Sequence, residues 1–252
     1  MIQSDELKHP NLRHGFFTRR GGVSSGVFSS LNCGYKNDDP AHIAENRRRA
    51  LDQLGLEAYN LRVLSQIHSA KVVTLTDAAP LAAETQGDAL VTTTPGLALG
   101  VVTADCTPVL LADPVNGVIG AIHSGWKGTA ENISEATVAA MEALGAKRQH
   151  IMATVGPCIA QTSYEVGPEL HEIFVSKRAD YARFFIPSPK AEHYLFDLPG
   201  CVVSQLSAAG VQQVRWTGHD TCALEDEFFS NRRTFHQGGG KFGLQLSTIA
   251  LA

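Results

Sequence analysis

Residues 100–128 read GVVTADCTPVLLADPVNGVIGAIHSGWKG. Two apolar runs, Val109–Ala112 and Val118–Ile122, flank Asp113-Pro114-Val115-Asn116-Gly117. That polar, Pro- and Gly-bearing interval is a turn signal, so the spacing predicts a β-hairpin. With a loop over 113–117, Ala112 faces Val118 and Thr107 faces His123. A register one step away sets Cys106 opposite His123. Either register brings Cys106 and His123 close, because directly opposed side chains stand about 5 Å apart at Cβ. Pro108 cannot donate to a ladder, so the strand is expected to bulge or end there.

Working outward, three helices are legible. Asp39-Pro40 is an N-cap followed by proline at the first helical position, and Gly55 closes that segment. A second helix is expected over about 130–144, where Ile133, Ala136, Ala140, Met141 and Leu144 share one face. A third, about 198–209, carries Cys201, Val202 and Leu206 and ends at Gly210. A fourth is expected near 167–178. Strands are expected at 63–64, 72–75, 97–103, 109–112, 118–122, 151–155 and 214–216. Helices and strands mix without strict alternation, which points to an α+β fold with mixed sheets rather than a doubly wound parallel one. No Pro/Ser-rich linker divides the chain, so 1–252 reads as a single domain.

Composition narrows the function. The 252 residues are 44% hydrophobic and 18% charged, with a net charge of -4. That is a globular mixture, not a disordered or fibrous one. It is not the composition of a general nucleic-acid or anionic-membrane binder. No apolar run approaches the roughly 20 residues of a membrane helix. The first residues lack a signal-peptide pattern, so the expected address is the cytoplasm. Five cysteines at 33, 106, 158, 201 and 222 form no CxxC pair and read as free thiols. Cys201 reads as core, and packing is the expected role of Cys33 and Cys158.

A thiol beside an imidazole is either a pair of metal ligands, a nucleophile with its base, or a buried packing pair. Both residues sit where an apolar strand gives way to small polar residues, a common place for sites. His68, in Ser65-Gln66-Ile67-His68-Ser69, completes a set of two histidines and one cysteine. Three protein ligands with an open fourth position is the arrangement of catalytic zinc. The ligand spacing matches no compact metal motif. Elsewhere, Thr18-Arg19-Arg20-Gly21-Gly22 sets arginines beside glycines, as anion sites do. Lys127, at a helix start, and Arg232-Arg233 offer further positive charge.

Taken together, these pieces resemble the YfiH-like family, long labelled laccase domain or polyphenol oxidase and described as bacterial purine nucleoside phosphorylases. The matching segments are 17–24 (FTRRGGVS), 30–32 (SLN), 45–47 (ENR), 66–69 (QIHS), 87–90 (GDAL), 104–110 (ADCTPVL), 123–128 (HSGWKG), 156–159 (GPCI), 164–167 (YEVG) and 228–230 (FFS). The resemblance spans nearly the whole chain. It implies a four-layer α/β/β/α sandwich and a zinc site at His68, Cys106 and His123. It also implies a monomeric or homodimeric enzyme that takes a small nucleoside and phosphate. The implied activity is phosphorolysis of adenosine, inosine and 5′-methylthioadenosine, with adenosine deamination beside it. Arg19, Arg47 and Lys127 are then the candidates for holding phosphate, and Asp105 for proton transfer. An amide hydrolase acting on peptidoglycan precursors, with Cys106 as thiolate, is the alternative. Copper would bind such a set adventitiously, but the ten histidines include no His-x-His pair of the multicopper kind. The chain departs from the family pattern at Ala223, Asn231 and Leu244.

Overall fold

The computed structural model describes residues 1–35, 37–82 and 84–252. Among the described residues the strands are β1 (Leu12–Phe16), β2 (Leu61–Val63), β3 (Val72–Leu75), β4 (Ala89–Thr92), β5 (Ala98–Thr103), β6 (Thr107–Asp113), β7 (Val118–Ser124), β8 (Met152–Val155), β9 (Glu165–Val166), β10 (Phe185–Pro187), β11 (Tyr194–Phe196), β12 (Gln213–Trp216) and β13 (Gln245–Leu251). The α-helices are α1 (Pro40–Asp52), α2 (Trp126–Ala130), α3 (Ile133–Ala143), α4 (Pro168–Lys177), α5 (Leu198–Ala208) and α6 (Asn231–His236). A six-stranded mixed sheet runs β12-β8-β6-β7-β4-β3, and a four-stranded mixed sheet runs β1-β13-β5-β2. Strands β10-β11-β9 form a small separate sheet.

Alternation along the central strands sorts the core into layers. On β6, Leu110 and Ala112 face the four-stranded sheet, where they meet Leu99, Val101 and Ile249. Val109 and Leu111 face the other way, onto Val138, Met141, Phe174 and Val202 of α3, α4 and α5. On the far side of the four-stranded sheet, Ala98, Val102 and Leu246 pack on Ala50, Leu51 and Leu54 at the end of α1. The order is helix, sheet, sheet, helices. This is the α+β sandwich with mixed sheets that the sequence led us to expect. No helix among the described residues is long and apolar enough to cross a membrane.

The hairpin forms, but its register differs from both expected ones. Asp113 pairs with Val118, Thr107 with Ser124 and Pro108 with His123. The cause is local. The Asp113 carboxylate accepts the backbone N–H groups of Val115 and Asn116 at 3.0 Å, and the Asn116 amide at 2.7 Å. Asp113 therefore remains in the strand, and Gly117, at φ 65°, closes the turn. Cys106 precedes the strand by one residue and stands diagonal to His123, not opposite it.

The helix expected over 130–144 is two helices, α2 and α3, broken at Asn132, whose φ is 57°. The others match closely. Asp39 caps α1 through Ala41 N–H, and Asp197 caps α5 through Gly200 N–H. Cys33, Cys158 and Cys201 are buried, as expected of packing residues, and all five thiols are free.

Candidate functional site

The site forms where the inner face of β7 ends. His123 follows Ile119 and Ala121 on the face turned toward the four-stranded sheet, and is itself buried. His68 comes from the turn between β2 and β3, at φ 60°. Cys106 comes from the turn entering β6, just after Asp105 at φ 86°. The structure brings these three together. Their ligand atoms lie within 4.8 Å of one another. Cys106 Sγ is 3.8 Å from His68 Nε2, and the two imidazoles meet edge to face at 4.8 Å.

Asp88, immediately before β4, holds the arrangement. Its Oδ1 accepts His123 Nδ1–H at 2.9 Å and His68 N–H at 2.9 Å. Its Oδ2 accepts Ser69 N–H at 2.6 Å and the Ser69 hydroxyl at 2.7 Å. One buried carboxylate thus orients the His123 ring, leaving Nε2 free for the site, and fixes the backbone that carries His68. Carboxylate support of this kind accompanies metal-binding histidines generally. The sequence offered Asp88 only as part of a motif, without a role. Its signal was weak: an acid directly before an apolar strand.

The glycines of Ser124-Gly125-Trp126-Lys127-Gly128 make room. A Cβ on Gly125 would stand 2.9 Å from His68 Cδ2 and 3.0 Å from Cys106 Sγ. A Cβ on Gly128 would stand 2.9 Å from Ser69 O.

Charge is shared unevenly here. Burial works against ionising Cys106, but His123 and His68 outweigh it and hold the thiol near 6. Burial likewise opposes a charged His123, but the Cys106 sulfur and Asp88 raise it to about 9. Asp88 is also penalised by burial, yet its His123 and Ser69 donors keep it near 2. The metal-free site therefore favours a thiolate–imidazolium pair, an activated form of cysteine. Two imidazoles and one thiolate within one coordination radius also fit a borderline metal such as zinc. This is the single such group of donors among the described residues.

Two cavities share this set. The larger, about 620 Å³, is bordered by Tyr35, Gln66, Thr103, Lys241 and Phe242 as well as His68, Cys106 and His123. A second, about 290 Å³, reaches His68 and Cys106 from the side of Trp126, Tyr164 and Arg232. Asn231 and Ala104 border both. Leu244 lines the larger cavity. The departures at 231 and 244 therefore face these cavities.

The other expected residues fall differently. Asp105 is buried, and burial raises its carboxyl even though it accepts Arg232 N–H, Thr221 Oγ1–H and Ser230 Oγ–H. It ties the cysteine turn to the loop entering α6. Arg47 gives two N–H groups to Cys33 O and stacks on Tyr35 at 4.4 Å. Lys127 is exposed and stands 5.5 Å over the Trp126 ring. Arg19 borders a third cavity next to the larger one.

The sandwich of mixed sheets and helices carries this His–Cys–His set at one end of its central seam. The family model described as multi-copper polyphenol oxidoreductase laccase matches residues 13–252, and the chain belongs to this family. A purine nucleoside phosphorylase of Deinococcus radiodurans is 42% identical over 92% of this chain and 89% of its own length. One from Pseudomonas aeruginosa is 34% identical over 88% of each chain. A Neisseria meningitidis crystal structure of family DUF152 superposes with a TM-score of 0.87 at 33% identity, covering 99% and 98% of the two chains. The Bacillus licheniformis YfiH structure also gives 0.87, at 29% identity over 96% and 93%. These agree with the YfiH-like resemblance drawn from the motifs.

Proposed function

We propose that this protein is a metal-dependent purine nucleoside phosphorylase acting on adenosine, inosine and 5′-methylthioadenosine, with adenosine deamination as a side activity. The observation that carries this reading is the convergence of His68, Cys106 and His123, braced by Asp88, on a cavity large enough for a nucleoside. The names of the full-length relatives support the substrate class. Cys106 Sγ, His68 Nε2 and the free nitrogen of His123 would hold zinc, and copper would compete for the same donors. A metal there supplies Lewis-acid polarisation of a substrate oxygen or nitrogen.

The protein's own groups do the rest. Tyr35 and Phe242 give the larger cavity an aromatic wall against which a purine can stack. Asp88 orients the His123 ring and fixes the backbone that carries His68, without touching substrate. Asp105 is the candidate proton donor, since burial favours its protonated form at the cavity edge. Of Arg19, Arg47 and Lys127, Arg19 is the phosphate-binding candidate best placed beside the cavity. The enzyme is expected to work as a monomer or homodimer in the cytoplasm, taking nucleoside and phosphate as its partners.

A second reading has its own observation. Cys106, His123 and Asp88 also line up as thiolate, imidazole and carboxylate, the order of a cysteine hydrolase. That would suit amide cleavage in peptidoglycan precursors. The test is to incubate the purified protein with adenosine, with and without phosphate, and separate the products, using Cys106→Ala as control. Phosphate-dependent adenine from wild type alone establishes the phosphorylase, and inosine establishes deamination. No conversion by metal-replete enzyme, with amidase activity abolished by alkylation of Cys106, would move the assignment to the hydrolase.

A further inference from the structure

Next to the larger cavity lies a separate cleft of about 360 Å³, bordered by Arg19, Glu225, Phe229, Ser230, Arg233, Gly239, Gly240 and Lys241 among others. Three of its charged side chains are cationic and one, Glu225, is anionic. This local excess stands in a chain whose net charge is -4.

The two arginines are built into the scaffold. Arg19 donates to Ser29 O at 2.8 Å and Glu225 O at 3.1 Å, and lies 4.6 Å over the Phe229 ring. Arg233 is largely buried and donates to Thr221 O, Cys222 O and Phe228 O. Carbonyl partners fix a guanidinium without cancelling its charge. Among the described residues, no carboxylate lies within ion-pair distance of Arg19 or Lys241, and the nearest to Arg233 is Glu225 at 3.7 Å. Burial and the neighbouring Arg233 charge act against Arg19 carrying its own charge, and the nearby carboxylates of Glu225 and Asp226 offset them only in part. Folding thus holds like charges together, an arrangement that a bound anion relieves. Gly238, Gly239 and Gly240 follow at φ 103°, 83° and 129°, so one wall is bare backbone.

The cleft is coupled to the catalytic set. Gly240, Lys241 and Phe242 border both cavities. Ser230, on the floor of the cleft, donates to Asp105 Oδ2 and accepts Arg233 N–H at 3.1 Å. Asp105 is the residue before Cys106.

We propose that this cleft is an oxyanion site taking a phosphate group, either free phosphate or the 5′-phosphate of a nucleotide, with Arg19, Arg233 and Lys241 as its cations. The oxyanion chemistry follows from the cleft alone, whereas free phosphate as the occupant rests on the phosphorylase reading above. Guanidinium forks match phosphate oxygens in pairs, and an ammonium adds a further donor.

The test is calorimetric titration of metal-replete protein with inorganic phosphate, adenosine and adenosine 5′-monophosphate. Wild type is compared with Lys241→Ala and Arg19→Lys, and with Lys177→Ala, an exposed lysine on α4, as the control for a lost surface charge. Arg233 is left alone because it anchors three carbonyls. Phosphate affinity should fall about tenfold or more in Lys241→Ala and stay unchanged in Lys177→Ala. Phosphate and adenosine binding side by side identifies free phosphate as occupant. Tighter binding of the monophosphate than of adenosine, with phosphate competing, identifies a nucleotide. Phosphate and monophosphate affinities that match in wild type, Lys241→Ala and Arg19→Lys overturn the proposal, as does a wild type that binds neither. A binding site confirmed here without phosphorolysis would leave the cleft standing and remove the phosphorylase. Phosphorolysis whose phosphate KM ignores both variants would do the reverse.

Discussion

Replacing Asp88 by asparagine isolates the support beneath the site. The carboxylate receives five donors on two oxygens: the N–H groups of Ile67, His68 and Ser69, the Ser69 hydroxyl and His123 Nδ1–H. Asparagine offers one acceptor oxygen and points an NH2 group at donors. Placing its oxygen toward His68 and His123 leaves Ser69 N–H without a partner. One orphaned buried donor costs about 1–3 kcal/mol. The remaining bonds lose their charge assistance and weaken by about half. A total near 2–4 kcal/mol is expected, which lowers the melting temperature by roughly 5–15 °C in a domain of this size. Metal affinity should drop about 10–100-fold, since His123 and His68 both lose their anchor. Thermal melts and zinc titration against a chromophoric chelator read the two effects separately. A variant melting within about 1 °C of wild type, with metal affinity changed less than about twofold, would refute the role given to Asp88.

Other consequences are equally open to measurement. In chelated protein, alkylation of Cys106 by iodoacetamide should show a midpoint near pH 6, far below an ordinary thiol, when followed by mass spectrometry. Stability should depend on pH at both ends. Asp88 is held below its unfolded value, so its contribution is complete above about pH 4 and lost as pH falls toward 2. His123 is held above its unfolded value of 6.5, so its contribution is complete below that pH and lost as pH rises through about 9. Melting curves of the chelated protein across pH test both limbs. Gly125→Ala introduces no backbone strain, since φ is -78° and ψ 172°, but sets a methyl against His68 and Cys106. Metal affinity should fall about tenfold or more at an overpacking cost of about 1–3 kcal/mol, read by zinc titration and denaturant unfolding.

The central hairpin and helices α1, α4 and α5 were legible because turn and capping residues punctuate apolar runs. Strands β1 and β13 were not, since His14 and Gly15 interrupt one, and Gln245, Ser247 and Thr248 the other. Those polar groups are buried and satisfied by tertiary partners: His14 by Ser4 N–H, Thr248 by Leu99 O. Helix α6 carries Asn231-Arg232-Arg233 and no buried apolar face, so no periodicity announced it. The hairpin register escaped because the Asp113 side chain, not the loop length, decides where the turn starts. Cys106 and His123 come together despite that error, since neighbours one diagonal apart still meet. Asp88 lies 20 residues from His68 and 35 from His123 along the chain, and nothing local ties them. The charge at Lys241 sits in a glycine-rich loop, where sequence shows only a turn.

The most direct measurement sets bound zinc against turnover. Stepwise chelation should remove one zinc per chain, and the rate of phosphate-dependent adenine release should fall in proportion to the zinc that remains. Cys106→Ala should hold no zinc and release no adenine. Adenine release that persists unchanged as zinc falls to nothing, or in Cys106→Ala, would contradict the assignment of His68, Cys106 and His123 as a catalytic metal site.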